Sequence, residues 1–176
     1  MHYAAGRHPA PWNQMRWFGP TDARFDHHLP PQAIQDRGIL YCADRATAAL
    51  AEVFQNRRVI NRRLRGPRLV AFELASQLEL LDLTGTWPTR AGASQAISTG
   101  PRSRARLWSR AIYDQYPTVM GLLYPAKMHG GARSLALYER AQSALPALAV
   151  FDRALADGAM TSILLKAADD LGYGLL

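Results

Sequence analysis

Cysteine occurs once, at Cys42, so no intramolecular disulfide can form and the chain suits a reducing compartment. Long apolar runs are missing. One of the longest, from Leu145 to Phe151, is interrupted by Pro146 and falls far short of the ~20 residues that span a bilayer. The first residues, MHYAAGRHPAPWNQ, lack the apolar core of a secretion signal. These absences predict a soluble, cytoplasmic protein with no membrane partner. The chemical motifs that would assign a function directly are also absent. There is no GxGxxG, no GxxxxGK[ST], no HExxH and no GxSxG. The five histidines (His2, His8, His27, His28, His129) and the single cysteine have no metal-ligand spacing, so no metal is expected. There are no repeats and no low-complexity tract.

What is present is a 176-residue chain of 19.5 kDa, 48% hydrophobic and 20% charged, which fits one soluble domain. The net charge is +7, and of 21 basic residues all but Lys127 and Lys166 are arginine. One cluster runs Arg57, Arg58, Arg62, Arg63, Arg65 and Arg68; another runs Arg102, Arg104, Arg106 and Arg110. Nucleic acid, an anionic small ligand, an acidic protein partner or a merely solvated surface would each account for them.

Ile39 to Ala43, bounded by Gly38 and Asp44, has the compact apolar character of a buried strand. Asp44 is placed to cap a following helix. In that helix Ala46, Ala49, Leu50, Val53 and Phe54 recur at helical spacing, predicting a core-facing stripe. Arg45 and Glu52, seven residues apart, share another face. Strands are predicted at Arg68–Leu74, Leu78–Leu83, Val119–Pro125 and Ser134–Glu139, and helices at Ser103–Tyr116 and Met160–Leu171, the last stopped by Gly172. The segment through Gln32 lacks clear periodicity and reads as irregular structure with a short strand. Strands and helices mix without regular alternation, which predicts an α+β (mixed α/β) single domain over residues 1–176. Cys42, in mid-strand among apolar neighbours, reads as an inert buried thiol.

Four polar residues stand beside apolar elements: Arg24, Tyr41, Glu52 and Ser134. Singly, each has a plain structural role: Arg24 pairing with Asp22 or Asp26, Tyr41 in the core, Glu52 on a solvated face, Ser134 ending a loop. The blocks that contain them run RFDHH, GILYCADRATAALAEVFQ, GASQAISTGP, WSRAIY and GLLYPAKMHGGARSLALYERA, from Arg24 to Ala141. This order resembles the RES domain, named for its Arg, Glu and Ser, of the toxins in RES–Xre toxin–antitoxin pairs. Tyr41 to Glu52 carries the most specific part.

The resemblance implies an ADP-ribosyltransferase-like fold with a small central sheet. It also implies a growth-arresting toxin that cleaves the nicotinamide–ribose bond of NAD⁺, a substrate, with no metal. The acceptor would be water, inorganic phosphate or a protein side chain, and an Xre-type helix-turn-helix antitoxin would be the cognate partner. By resemblance Glu52 stabilises the ribosyl cation, Arg24 holds phosphate and Tyr41 stacks on nicotinamide; Arg45, on the Glu52 face near the helix N-terminus, is a second phosphate candidate. Related chains often place a serine where this one has Ala126, so Ser134 takes the serine role here. They also carry a further arginine near the start, which here is either absent or replaced by Arg7 or Arg16. A basic nucleic-acid-binding or RNA-cleaving toxin is the alternative function.

Overall fold

The computed structural model describes residues 1–5 and 10–176, so Arg7 and His8 lie outside the described residues. In chain order the elements are β1 (His2–Tyr3), β2 (Arg16–Gly19), β3 (Ala33–Ala43), α1 (Ala46–Phe54), β4 (Val59–Ile60), β5 (Pro67–Ala71) and β6 (Leu80–Asp82). Then follow α2 (Trp87–Arg90), α3 (Ala96–Thr99), α4 (Arg102–Gln115), β7 (Gly121–Pro125), β8 (Arg133–Tyr138), β9 (Phe151–Ala154), α5 (Thr161–Leu171) and β10 (Gly174–Leu175). The main sheet has the order β2-β3-β8-β7-β6; β1-β5-β9 and β10-β4 form two smaller sheets. This is the expected α+β mixture. The longest helix, α4, has 14 residues, too short to cross a membrane.

Pairing in the main sheet is antiparallel except between β6 and β7, which run parallel. Parallel neighbours need a crossover, and α2, α3 and α4 supply it. The crossover packs on one sheet face. Ile97, Ala105 and Ile112 from the helices meet Ile39, Leu122, Ala136 and Tyr138 from the strands in one buried cluster. The opposite face carries Leu137 with Leu40, Cys42 and Leu135, packed on Met15 and Ala141. A further cluster joins α1, through Leu50, to Leu155, Met160 and Leu164 under the smaller sheets. Gly172 ends α5 in the left-handed region (φ 63°), as its position predicts.

Two expectations fail on long-range contacts. Asp44 does not cap α1; Arg45 occupies that position without a capping bond. The Asp44 carboxylate instead accepts from Arg133, through the backbone N–H at 3.0 Å and Nε at 3.0 Å. The apolar stripe of α1 also divides. Leu50 is buried with Ala48 and Ala51, while Ala46 is exposed and Val53 stays 37% exposed. Ala49 and Val53 line a cleft, so apolar spacing there marks a cavity wall as well as core.

His27 and His28 are fully buried and structural in setting. His28 Nδ1 lies 2.6 Å from Asp26 Oδ1, and Asp26 Oδ2 accepts from Thr21 and Arg16. Burial opposes the Asp26 charge, but the bonds from His28 and Thr21 outweigh it and hold the carboxyl far below its ordinary range. His27 packs with Tyr113 and Tyr138 in one cluster of tilted rings, 3.7 Å from Glu139. Burial lowers the His27 pKa below 6.5, against the pull of Glu139. Burial would raise Glu139, but the nearby His27 ring and the hydrogen bonds from the Tyr113 hydroxyl and the Gly38 N–H bring it down to about 2.

Each depressed pKa means that the unfolded chain binds protons the folded chain does not, so stability rises with pH through that window. The urea midpoint should therefore fall as pH drops below about 6.5, through His27, and fall again below about 4.5, through Glu139. In His27→Phe the upper step should shrink most, and the lower one should shrink in part, because Glu139 loses His27 but keeps Tyr113 and the Gly38 N–H. An upper step of unchanged size would contradict this account of His27.

Candidate active site

Strand register decides which polar side chains share a surface. Ala43 of β3 and Tyr124 of β7 both pair with Ser134 of β8, and Tyr41 pairs with Ala136, two residues along. Alternation then puts Tyr41, Ser134 and Tyr124 on one sheet face. That face ends in a cleft of about 500 Å³, within the range of small-molecule sites. Arg24, Tyr41, Glu52 and Ser134, dispersed over more than 100 positions, all line it.

Glu52 comes from the last turn of α1. Its Oε1 accepts the backbone N–H groups of Lys127 at 2.9 Å and Met128 at 3.3 Å, in the loop joining β7 to β8. Gln55 Nε2 donates to Glu52 Oε2 at 3.3 Å and to the Glu52 carbonyl at 2.7 Å. Thr47 Oγ1 meets His129 Nε2 at 3.1 Å, a second tie between α1 and this loop. The carboxylate is thus held on several sides in one orientation.

Arg24 faces the cleft from the segment after β2. It pairs with neither Asp22 nor Asp26; its Nη1 donates to the Gly100 carbonyl at 2.7 Å. Burial, then the neighbouring charge of Arg102, lowers its pKa below the ordinary arginine value, and Tyr124 and Glu52 pull it back up. The guanidinium remains a cation at neutral pH.

Of the buried polar atoms without a partner among the described residues, three face this cleft: Tyr41 OH, Ser134 Oγ and Ser98 Oγ. An orphaned buried hydroxyl costs stability, and a ligand that pairs with it recovers that cost. Burial raises the Tyr41 pKa well above 10 and raises Tyr124 likewise, the latter helped by the Glu52 charge, so both stay protonated. Burial also pushes the Cys42 thiol up to about 11, which leaves it a protonated, weak nucleophile.

Arg45 lies apart from the other four. It lines an adjoining cavity of about 730 Å³ that shares Tyr41, Cys42, Ala43 and Ala49 with the first. Arg16 is bound to Asp26 and is not among the residues of the cleft. Ala126 packs against Ala48 and Ala132 under α1, so a side chain there faces the interior, whereas Ser134 opens on the cleft. Sequence reasoning passed over Tyr124 and Ser98, and named Arg102 only as part of an arginine cluster. Tyr124 was reachable through the β7–β8 pairing; Ser98 carries no local signal, and the arginine cluster does not single out Arg102.

The RES domain model matches residues 2–157 of the chain. The chain belongs to the RES domain family. The match starts before Arg24 and ends after Ala141, so it encloses every block of the resemblance. No curated protein and no solved structure matches the chain. RES domains occur in toxin–antitoxin-associated, NAD-related proteins, and membership points to an NAD-related enzymatic activity in general.

The arginine clusters are largely engaged within this RES domain. Arg62 donates to the carbonyls of Leu155 and Asp157 and to Thr161; Arg68 pairs with Asp152; Arg110 donates to the His28 carbonyl. Arg58 and Arg65 lie over the rings of Tyr173 and Tyr3. Much of the basic sequence is therefore internal bonding and not an open phosphate-binding stripe.

The orphaned Tyr41 hydroxyl has a measurable consequence. Tyr41→Phe should leave unfolding free energy unchanged or slightly raised, while Tyr41→Ala should lower it by about 3 kcal/mol. A clear loss in Tyr41→Phe would mean that the hydroxyl has a structural partner.

Proposed function

We propose that this RES domain cleaves the nicotinamide–ribose bond of NAD⁺ and is the toxin of a toxin–antitoxin pair. The observation that carries the reading is the single cleft lined by a fixed carboxylate, a half-buried arginine, two aromatic rings and an orphaned serine hydroxyl. The small central sheet flanked by the cleft accords with an ADP-ribosyltransferase-like fold.

Nicotinamide departs as a neutral base with the bonding electron pair, leaving positive charge on the ribose. Such a cation needs a carboxylate already oriented, because reorganisation during the reaction would waste its stabilisation. Glu52, tethered by Lys127, Met128 and Gln55, meets that need. The rings of Tyr41 and Tyr124 offer a face on which nicotinamide stacks. Arg24 supplies a guanidinium for the diphosphate, and Arg45, along the adjoining cavity, extends that attraction. Ser134 offers a hydroxyl to the ribose or to the acceptor. An acceptor oxygen, of water, phosphate or a protein side chain, closes on the ribose and releases its proton to solvent.

A cell carrying this activity needs restraint, which an Xre-type helix-turn-helix antitoxin would give by placing a carboxylate against Arg24 and Arg45. Antitoxin and NAD⁺ then compete, and Arg24→Ala weakens both.

Incubating the protein with NAD⁺, with and without phosphate, should release nicotinamide and yield ADP-ribose, a phosphorylated ADP-ribose or a labelled protein. Glu52→Gln should lower turnover by ~10²-fold or more while NAD⁺ binding changes little. Tyr41→Phe should keep most activity and Tyr41→Ala lose it. Undiminished turnover in Glu52→Gln would overturn the mechanism.

A further inference from the structure

Ser98 is 2% exposed, its Oγ has no hydrogen-bond partner, and it lines the same cleft as Arg24 and Arg102. Nothing in the mechanism above uses it or Arg102. The three are linked through one short piece of backbone. Ser98 sits in α3, Gly100 follows and accepts the Arg24 guanidinium at 2.7 Å, and Arg102 opens α4. Arg102 reaches back to the Asp22 carbonyl through a long contact of 3.4 Å, which keeps its guanidinium at the rim beside Arg24. At Gly100 a Cβ would stand 2.7 Å from the Ala96 carbonyl, so the tight turn that brings α3 onto the start of α4 excludes larger residues.

Two guanidiniums side by side repel, and burying one of them costs more still. The only carboxylate among the residues of the cleft besides Glu52 is Asp22, and its side chain is almost fully exposed, 3.6 Å from Arg106. Glu52 itself is held by the β7–β8 loop and Gln55. This wall therefore carries an excess of positive charge, an unpaired hydroxyl donor and the positive end of a 14-residue helix. An anion with several oxygens is the chemistry that satisfies all of these together.

We propose that Ser98 and Arg102, beside Arg24, form a diphosphate-binding site. Ser98 donates its hydroxyl to one phosphate, and the two guanidiniums bracket the bridging group. This deepens the NAD⁺ reading by naming which wall takes the diphosphate, yet the anion site stands on its own geometry. It also orients the dinucleotide: with phosphates on the α3–α4 wall, the nicotinamide ribose is directed across the cleft to Glu52.

The test uses inorganic pyrophosphate as probe, titrated calorimetrically at low salt into the wild type, Ser98→Ala and Arg102→Gln, with NAD⁺ turnover measured separately. The wild type should bind pyrophosphate, Arg102→Gln should bind at least 10-fold more weakly, and Ser98→Ala several-fold more weakly. Melting temperature should hold in both variants, because Arg102 is exposed and Ser98→Ala only removes an orphaned hydroxyl. Variants that bind pyrophosphate like the wild type, or a wild type that does not bind it, would overturn the site. Pyrophosphate binding that depends on Ser98 and Arg102 in a protein inert toward NAD⁺ would keep the anion site and sink the NAD⁺ reading alone.

Discussion

The antiparallel register of β3, β8 and β7 is the constraint on which the site depends. Side chains alternate along a strand, so a slip of one residue would turn Tyr41, Ser134 and Tyr124 from the cleft to the opposite face. The register is pinned by the two apolar sets it separates. Ile39, Leu122, Ala136 and Tyr138 pack under the crossover helices, while Leu40, Leu135 and Leu137 pack on the other side. The polar residues ride on that division: core packing fixes the sheet, and the sheet fixes the wall of the cleft.

The opposite wall depends on hydrogen bonds more than on packing. Lys127 and Met128 donate to Glu52, and Arg133 donates to Asp44, so the β7–β8 connection is clasped at both ends by carboxylates flanking or within α1. Helix, loop and strand are thereby tied to one another. A carboxylate held this way keeps its orientation without a ligand, which is the condition for electrostatic stabilisation of a developing cation.

Much of this was legible in the chain, and the failures share a cause. The β3 core and α1 were plain from apolar runs and spacing, and Gly172 marked the end of α5, because these signals act within a few residues. Even so, β3 proved to extend back to Ala33, since pairing with β2 supports residues that carry no apolar signal. Asp44 was read as a cap because capping is a local rule, yet its partner is 89 residues away. The convergence of Arg24, Glu52 and Ser134 followed from family resemblance and not from spacing, since none lies near another in the chain. Ser98 was invisible because its distinguishing feature, a buried hydroxyl with no partner, exists only in the folded molecule.

The claim that ties these parts together is that one bond of one dinucleotide lies among them. A crystal structure of Glu52→Gln with NAD⁺ bound tests it most directly. The account predicts the anomeric carbon of the nicotinamide ribose beside residue 52, the nicotinamide against Tyr41 and the diphosphate beside Arg24. A dinucleotide whose nicotinamide ribose lies away from residue 52 would contradict it.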